Sequence, residues 1–327
     1  MNDLSTKYLG LDLKNPLIVG SCGFTNSVDK IKELADHNAA AVVLKSLFEE
    51  QIQAELSANL ESYTADYPEA MDYIRAYTRG NEVESYLKLI AGAKKAVDIP
   101  VIASINCVSA SEWVSFAKSV EQEGADAIEL NVSLLPSDPK MTSAENEKKY
   151  LEIIDSVSSM VSIPLTLKMS RYSASLANLI KKLALTNKIA GFVLFNRYYS
   201  PDIDVEKMVV KSTDVLSSPS EGCGPLRWIA LMSGQIDKDL VAATGIHDSE
   251  GVIKQLLAGA TAVQIVSTLY KNGFAQIPAM LKGLDEWMTK KSFTELAQFR
   301  GQLSYEKAKN PAVFERTQFM KYYGGLS

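Results

Sequence analysis

The chain has 327 residues, 46% of them hydrophobic, and a formal net charge of −5. This length suits one large α/β barrel or two smaller domains. The acidic balance, with no lysine- and arginine-rich run and no apolar stretch of about 18 residues, argues against a nucleic-acid partner and against a membrane protein, so we expect the partner to be a small molecule.

Near the N-terminus, residues 6–13 alternate apolar and polar around Gly10, which predicts a small hairpin. A short apolar run at 17–23 then ends in small polar residues, and Ser27 is placed as the N-cap of a helix that runs to His37. The same pattern of a short buried strand, a polar strand end and a helix continues along the chain. The predicted strands lie at 17–23, 40–46, 100–106, 127–133, 164–170, 191–196, 240–243 and 262–266.

Eight strands alternating with helices predict a parallel (βα)8 TIM barrel with the hairpin at its bottom; a doubly wound sheet is the alternative α/β arrangement. We interpret 1–327 as a single domain in which 293–327 forms a helical tail packed on the barrel. Long insertions follow the second and sixth strands, at about 47–81, with helical segments, and at 197–224, and a helix is predicted at 83–97. Loops at strand C-terminal ends carry substrate sites in barrels, so the first insertion is a candidate substrate loop.

The segment 239–273 predicts two buried strands joined by a helix, with small polar residues after each strand. Thr244 and Gly245 follow the first strand, and Ser267 follows the second. Backbone N–H groups at a glycine turn and at a helix N-terminus attract anions. Because barrels frequently bind phosphate with the loops after the seventh and eighth strands, this segment predicts a phosphate site.

The predicted strand ends also carry two lysines, Lys45 and Lys168, and three amides, Asn106, Asn131 and Asn196. A lysine inside a barrel mouth loses hydration and needs an anionic partner. The alternative for either lysine alone is a strand-end side chain whose ammonium reaches solvent. Amides donate and accept hydrogen bonds at once, which suits a ring with carbonyl and N–H groups. With the phosphate site, these residues predict a ligand with a phosphate arm and a polar heterocycle.

In the order and spacing of its motifs, the chain resembles the dihydroorotate dehydrogenase family of FMN-dependent barrels, most nearly its cytosolic first class, from Tyr8 to about Met288. The resemblance implies an FMN cofactor, oxidation of dihydroorotate to orotate in pyrimidine biosynthesis, a homodimer and an electron acceptor of unknown identity. The motifs are NPLIVGS at 15–21, VLKS at 43–46, IELNVS at 128–133, LTLKMS at 165–170, and TGI and LLAGATAVQIVS at the phosphate end.

The resemblance also assigns residues to the ligands. A lysine at the flavin ring, Lys45, would stabilise the negative charge that the ring gains on reduction. Asn131 and Asn196 would hydrogen-bond the dihydropyrimidine. The residues implied along the flavin ring are Gly20, Ser21, Lys45, Ser46, Asn106, Asn131 and Lys168. Those implied at the ribityl phosphate are Gly224 or a neighbour, Thr244, Gly245, Ile246 and Ser267.

The loop after the fourth strand departs from the family pattern. The family carries a cysteine or serine there that removes a proton from the substrate, whereas this chain has Leu134 and Leu135. Ser133 is a weak candidate for the base, because its side chain should point to the opposite side of the strand from its neighbour. The other candidates for the base are Ser137, Tyr63, Tyr67 and a water molecule.

Four functions therefore stay open from the sequence. The first is a flavin oxidoreductase acting on dihydroorotate, and the second is one acting on another dihydropyrimidine-like ring. The third is a Schiff-base aldolase or lyase with Lys168 as the nucleophile, using the phosphate site for its substrate. The fourth is a flavin-binding barrel that has lost its dehydrogenase activity.

The histidines and cysteines suggest no metal centre or disulfide framework. Cys22, Cys107 and Cys223 lie far apart, without the spacing of a zinc site, which predicts a reducing, cytoplasmic location. His37 is predicted to be solvated or to cap a helix. His247 directly follows the glycine turn, where we expect a surface loop residue, with a contact to phosphate as the alternative.

Overall fold

The computed structural model of the chain describes residues 2–48, 68–106, 114–132, 134–198 and 200–315. Its strands are β1 (Thr6–Tyr8), β2 (Leu11–Leu13), β3 (Leu17–Val19), β4 (Ala41–Val43), β5 (Leu47–Phe48), β6 (Val101–Asn106), β7 (Ala127–Val132), β8 (Leu165–Met169), β9 (Gly191–Leu194), β10 (Pro201–Asp204), β11 (Val209–Ser212), β12 (Asp239–Ala243) and β13 (Ala262–Ile265). Its α-helices are α1 (Val28–Asp36), α2 (Pro68–Ala96), α3 (Val114–Gln122), α4 (Ser143–Ser158), α5 (Leu176–Leu185), α6 (Cys223–Met232), α7 (Ser249–Ala258), α8 (Ser267–Asn272) and α9 (Gln276–Lys290).

Eight of these strands form a closed parallel barrel. Their order is β3, β4, β6, β7, β8, β9, β12 and β13, and β13 pairs with β3 to complete the ring. The short β5 adds to the end of β6. The predicted (βα)8 barrel is therefore confirmed, and the doubly wound alternative is wrong, because an open sheet would leave two unpaired edges.

The predicted hairpin, β1 and β2, covers the N-terminal end of the barrel. The Tyr8 hydroxyl donates to Thr166 Oγ1 at 2.9 Å, and the backbone N–H of Leu9 donates to Asp239 Oδ2 at 2.7 Å. Thr166 and Asp239 lie near the starts of β8 and β12, so these bonds attach the hairpin to the bottom of the barrel. Tyr8 and Leu13 are buried there.

Alternation along each strand sorts side chains between two cores. On β7, Ile128 and Leu130 pack outward against the helices, whereas Glu129 and Asn131 occupy the alternate positions. The lower barrel interior is filled by small and β-branched residues such as Val193. Polar side chains follow above them, which gives the barrel a polar upper layer.

Helix ends follow the local sequence signals. Ser27 caps α1 by accepting from the Lys30 N–H, and Asp248 caps α7 by accepting from Gly251. His37 ends α1, with Nδ1 2.8 Å from the Glu33 carbonyl oxygen, which confirms the capping interpretation.

The structure refines two expectations about the insertions. The helix predicted at 83–97 continues back through the helical part of the first insertion to Pro68, a residue well suited to the first helical turn because it needs no N–H partner there. The stretch 197–224, expected as a loop, contains the antiparallel hairpin of β10 and β11. Apolar and polar residues alternate only weakly along these strands. Both faces of the hairpin are largely exposed, so no buried face requires an apolar residue at every second position.

The segment after α9 packs on the outside of the barrel. It contains two 3₁₀ turns, Leu296–Gln298 and Pro311–Phe314. Between them Phe299 is fully buried, and its ring centroid lies 4.9 Å from that of Trp287. The remainder of the predicted tail, 316–327, lies outside the described residues.

Candidate functional site

A cavity of about 500 Å³ opens at the C-terminal ends of the barrel strands. This volume falls in the range of roughly 300–1,000 Å³ that is usual for small-molecule and cofactor sites. Its described lining is Ser21, Lys168, Phe195, Asn196, Arg197, Val215, Leu216, Ser217, Ala243, Thr244, Gly245, Ile246, Gln264, Val266, Ser267 and Tyr270.

One end of the cavity, here called the lysine end, is formed by Lys168, Asn196 and Gln264. Lys168 on β8 donates to Gln264 Oε1 at 2.9 Å, and its ammonium lies 3.3 Å from a carboxylate oxygen of Glu129. Gln264 Nε2 donates to the other oxygen of that carboxylate. Glu129 is fully buried and Lys168 is 8% exposed. The anionic partner that a lysine in the barrel mouth requires is therefore Glu129.

The predicted amides lie along the same rim. Strand register places Asn106 beside Asn131 and Asn131 beside Lys168. The backbone N–H of Asn196 donates to the Met169 carbonyl oxygen at 3.0 Å, which continues this row past β8. Strand pairing thus brings together four residues that are far apart in sequence.

Three serines connect the rim to the barrel interior. Ser21 Oγ lies 3.1 Å from Ser46 Oγ, which lies 2.7 Å from Ser104 Oγ. Lys45 is half-buried directly before Ser46, and it lies outside the described lining of the cavity. Gly20 lies at the end of β3, where an added Cβ would be 3.0 Å from Val266 Cγ2. These residues form the wall next to the lysine end.

The opposite end, here called the serine end, is organised by Ser217. Its backbone N–H donates to Ser267 Oγ at 2.9 Å, and its carbonyl oxygen accepts from Lys271 Nζ at 2.8 Å. Its hydroxyl accepts from the Gly245 N–H at 3.3 Å and lies 3.1 Å from His247 Nε2. The loop before α6 is thereby tied to the ends of β12 and β13.

The turn after β12 is tightly packed. Thr244 and Gly245 have φ values of +81° and +77°. A Cβ at Gly245 would lie within 2.1 Å of the Gly222 backbone nitrogen. Gly222, which directly precedes α6, makes this contact, while Gly224 lies in the first turn of α6 near Arg171. The close approach of two backbones is what requires glycine here.

His247 is not a surface residue, so that expectation is wrong. It is only 8% exposed, and its carbonyl oxygen accepts from Thr268 and Gln276. Burial lowers its pKa, and the nearby charge of Lys271 lowers it further. The buried ring supports Ser217, because its Nε2 lies within hydrogen-bond distance of the Ser217 hydroxyl.

Arg197 forms a further part of the cavity lining. Its Nε donates to Glu221 Oε2 at 2.8 Å, and its NH1 donates to the Val215 carbonyl oxygen at 2.9 Å. Burial raises the pKa of Glu221, but the bonds and charge of Arg197 outweigh this and hold the pKa below its usual value. The pair fixes the loop after β9 against the start of α6.

Comparison with known proteins now decides the family. The family model described as dihydroorotate dehydrogenase matches residues 3–288. The chain belongs to the dihydroorotate dehydrogenase family.

Two relatives match this chain at low sequence identity over nearly its full length. The catalytic subunit of dihydroorotate dehydrogenase B (NAD(+)) from Thermoplasma volcanium is 27% identical over 92% of this chain and 98% of its own. Dihydroorotate dehydrogenase A (fumarate) from Lactococcus lactis is 24% identical over 92% of this chain and 99% of its own. The names of these relatives thus divide between NAD(+) and fumarate.

The loop after β7, where the resemblance implies the base, is described from Leu134 onward. Ser133, the candidate base, lies outside the described residues, as do Tyr63 and Tyr67. Leu134 packs against the outer core, and its carbonyl oxygen accepts from Ser170. Ser137 is exposed, and its N–H donates to the Leu135 carbonyl oxygen. Along the described cavity lining, no carboxylate, thiol or imidazole is present.

Several site residues escaped sequence reasoning. Glu129 and Gln264 lie inside the family motifs. Glu129 is two positions before Asn131, and Gln264 is two positions before the cavity-lining Val266. Because side chains alternate along a strand, this spacing was a signal that both face the barrel interior. Tyr270, which lines the cavity and accepts from the Gly23 N–H at 3.0 Å, carries no such signal. Nor does Ser217, whose role depends on how its loop folds.

In the part of the chain that the structure describes, no group of three or more histidine, cysteine, aspartate and glutamate residues is arranged to hold a metal ion. No helix there is long and apolar enough to cross a membrane.

Replacing Gly245 by alanine should destabilise the protein strongly, because the methyl group would collide with the Gly222 backbone. Gly273→Ala is the matched control, since Gly273 has a similar φ of +73° but nothing within 4 Å of an added Cβ. We expect Gly273→Ala to cost about 1–3 kcal/mol, the usual range for strained backbone, and Gly245→Ala to cost clearly more. Urea denaturation measures both, and equal losses would contradict the collision.

Proposed function

We propose that the protein is an FMN-dependent oxidoreductase that oxidises dihydroorotate to orotate in pyrimidine biosynthesis. The observation that carries the proposal is the cavity with an ion-paired lysine and amides at one end and a serine- and glycine-lined turn at the other. Membership of the dihydroorotate dehydrogenase family supports the reaction type. FMN, when bound, would accept a hydride, one proton with two electrons, from one carbon of the bond that is oxidised, while a base takes the proton of the other carbon.

The residues fit this cofactor. The lysine end offers a cation and amides that suit the polar edge of a flavin ring, together with the adjacent Asn106, Asn131 and the Ser21 to Ser46 wall. The serine end offers hydroxyls, a glycine turn and the nearby ammonium of Lys271 for the phosphate. The residues proposed there are Gly224 or its neighbour Gly222, Thr244, Gly245, Ile246 and Ser267.

Lys168 and Lys45 are the residues proposed to stabilise charge on the ring. Lys168 lines the cavity and is held by Gln264 and Glu129, so its ammonium points in a fixed direction. Lys45 is half-buried at the end of β4, beside the serine wall. Loss of one preorganised hydrogen-bond donor to a developing negative charge typically costs about 2.7–4 kcal/mol, which sets the scale for a donor such as these ammonium groups.

Asn131 and Asn196 are proposed to hold the substrate through its amide groups. They flank Lys168 along the rim, Asn131 through strand pairing and Asn196 through its bond to Met169. A ring held between them would lie over the lysine end. Ser133 is the residue proposed to remove the substrate proton, since it follows Asn131 by two positions and the described cavity lining has no stronger base.

A Schiff-base aldolase is a poorer fit to the same residues. Lys168 would have to react as a neutral amine, which would leave the fully buried Glu129 carboxylate without a counterion. Isolated buried charges are costly by several kcal/mol. Nothing in the site favours that reaction over flavin chemistry.

A homodimer is the proposed assembly, and the reducing cytoplasm is the proposed location. Cys22 and Cys223 are free thiols, which suits a reducing compartment. The hairpin of β10 and β11 exposes an apolar patch that suits contact with a second copy. Its exposed residues are Ile203, Val205, Met208, Val209, Val210 and, just beyond it, Val215.

The proposed reaction is tested by anaerobic titration of the FMN-loaded protein while the flavin absorbance is followed. We expect dihydroorotate to bleach the flavin, and dihydrouracil and dihydrothymine to leave it oxidised. If only dihydrouracil or only dihydrothymine bleaches the flavin, that compound is the substrate in place of dihydroorotate. If none of the three does, the protein is a flavin-binding barrel without this activity. Reoxidation with fumarate or NAD(+) then identifies the acceptor.

Ser133→Ala tests the proposed base. General-base assistance is commonly worth roughly 10²–10⁴-fold, so the rate of flavin reduction by dihydroorotate should fall by about 10²-fold or more. Ser137→Ala is the control, because that exposed serine hydrogen-bonds its own loop. Rapid-mixing absorbance measures both rates. An unchanged rate in Ser133→Ala would assign proton removal to another group or to water.

Val210→Glu tests the assembly, since a charge in an apolar interface should separate the two copies. Leu185→Glu is the matched control, because Leu185 on α5 is 72% exposed and Val210 is 70% exposed. Light scattering after size-exclusion chromatography should give a dimer for the unmodified protein and for Leu185→Glu, and a monomer for Val210→Glu. A dimeric Val210→Glu protein would place the interface elsewhere.

A further inference from the structure

Glu129 is the most deeply buried charged residue of the polar layer, and it does not line the cavity. Its side chain has 0% exposure. One carboxylate oxygen accepts from Gln264 Nε2, while the other has no hydrogen bond to a described residue and faces the Lys168 ammonium at 3.3 Å. A carboxylate in such surroundings is stable only when it is paired.

The three side chains form a closed triangle of contacts. Gln264 directs its nitrogen to Glu129 and its oxygen to Lys168. Flipping this amide would place an oxygen against the carboxylate and an NH₂ group against the ammonium, so both charges select one orientation. Lys168 and Gln264 line the cavity and therefore act at its surface, whereas Glu129 acts only through them.

We propose that Glu129 is a positioning residue that fixes Lys168 and Gln264 and, by opposing the charge of Lys168, lowers the reduction potential of the bound flavin. This inference rests on the proposed function, because it requires FMN at the lysine end. The ammonium favours the negative charge that the ring gains on reduction, and a carboxylate 3.3 Å behind it weakens that effect. The ion pair thus sets how strongly the flavin is held in its oxidised form.

Glu129→Gln removes the charge with little change of shape. The reduction equilibrium of the bound flavin should shift toward the reduced form by about tenfold, or about 30 mV for two electrons. Glu152→Gln is the matched control, since Glu152 is an exposed partner of Lys148 on α4 and loses the same charge far from the cavity. Its potential should equal that of the unmodified protein. Reductive titration against a dye of known potential measures all three proteins.

A second measurement needs no flavin. Unfolding of the flavin-free protein is compared among the unmodified chain, Glu129→Gln, Lys168→Met and the double variant. Because removing one partner leaves the other charge buried alone, the double variant should be more stable than Lys168→Met and should lose less stability than the two single losses added together. This arm also applies if Glu129→Gln alone fails to fold.

The outcomes separate the two proposals. FMN binding with an unshifted potential in Glu129→Gln, or additive losses in the flavin-free proteins, would overturn the role of Glu129 and leave the proposed function standing. An unmodified protein that does not bind FMN would overturn the proposed function and the potential-setting role with it. A raised potential together with non-additive losses supports the proposal.

Discussion

Parallel closure of the barrel is the constraint on which the rest of the structure depends. Once eight strands pair in register around a ring, alternation decides which residues face the interior, and the side chains at its lower levels are buried. Small and β-branched residues fill those levels. The charged and amide side chains then gather near the C-terminal ends, where Glu129 and Lys168 on adjacent strands meet Gln264 from across the barrel. The location of the site follows from this requirement.

Charge inside such a barrel is tolerated only as a matched set. Glu129, Lys168 and Gln264 come from three different strands, and removal of any one would leave a buried polar group without its partner. The need for paired charges also explains the rim, where amide side chains lie beside a lysine that is ion-paired. A site of this kind holds its shape before any ligand arrives, which is the state that favours tight and oriented binding.

Much of the fold could be predicted from the sequence, because short apolar runs with polar ends and helix caps are local signals. The strands and the cap Ser27 are examples. The hairpin at 201–212 and the start of α2 at Pro68 could not, since neither shows a clear apolar face.

At the site, the residues at strand ends and in the turns directly after them were predictable, whereas the strand residues Glu129 and Gln264 and the residues of the long loop were not. Lys168 and Asn131 were found because strand ends converge. Ser217 and Arg197 were missed because their contacts depend on how a long loop returns to the barrel. His247 was expected at the surface for the same reason: its turn looks polar in sequence but is covered by neighbouring segments.

The way Ser217 is attached suggests how the serine end of the cavity tolerates change. Four separate contacts, through its N–H, carbonyl oxygen and hydroxyl, hold this residue, and four different residues supply them. Loss of one partner leaves three contacts, so the attachment of Ser217 tolerates the substitution of a partner. The close approach of Gly222 and Gly245 does not tolerate substitution, because a single added carbon fills the whole space. Sequence drift in this part of the molecule should therefore accumulate around Ser217 and spare the two glycines.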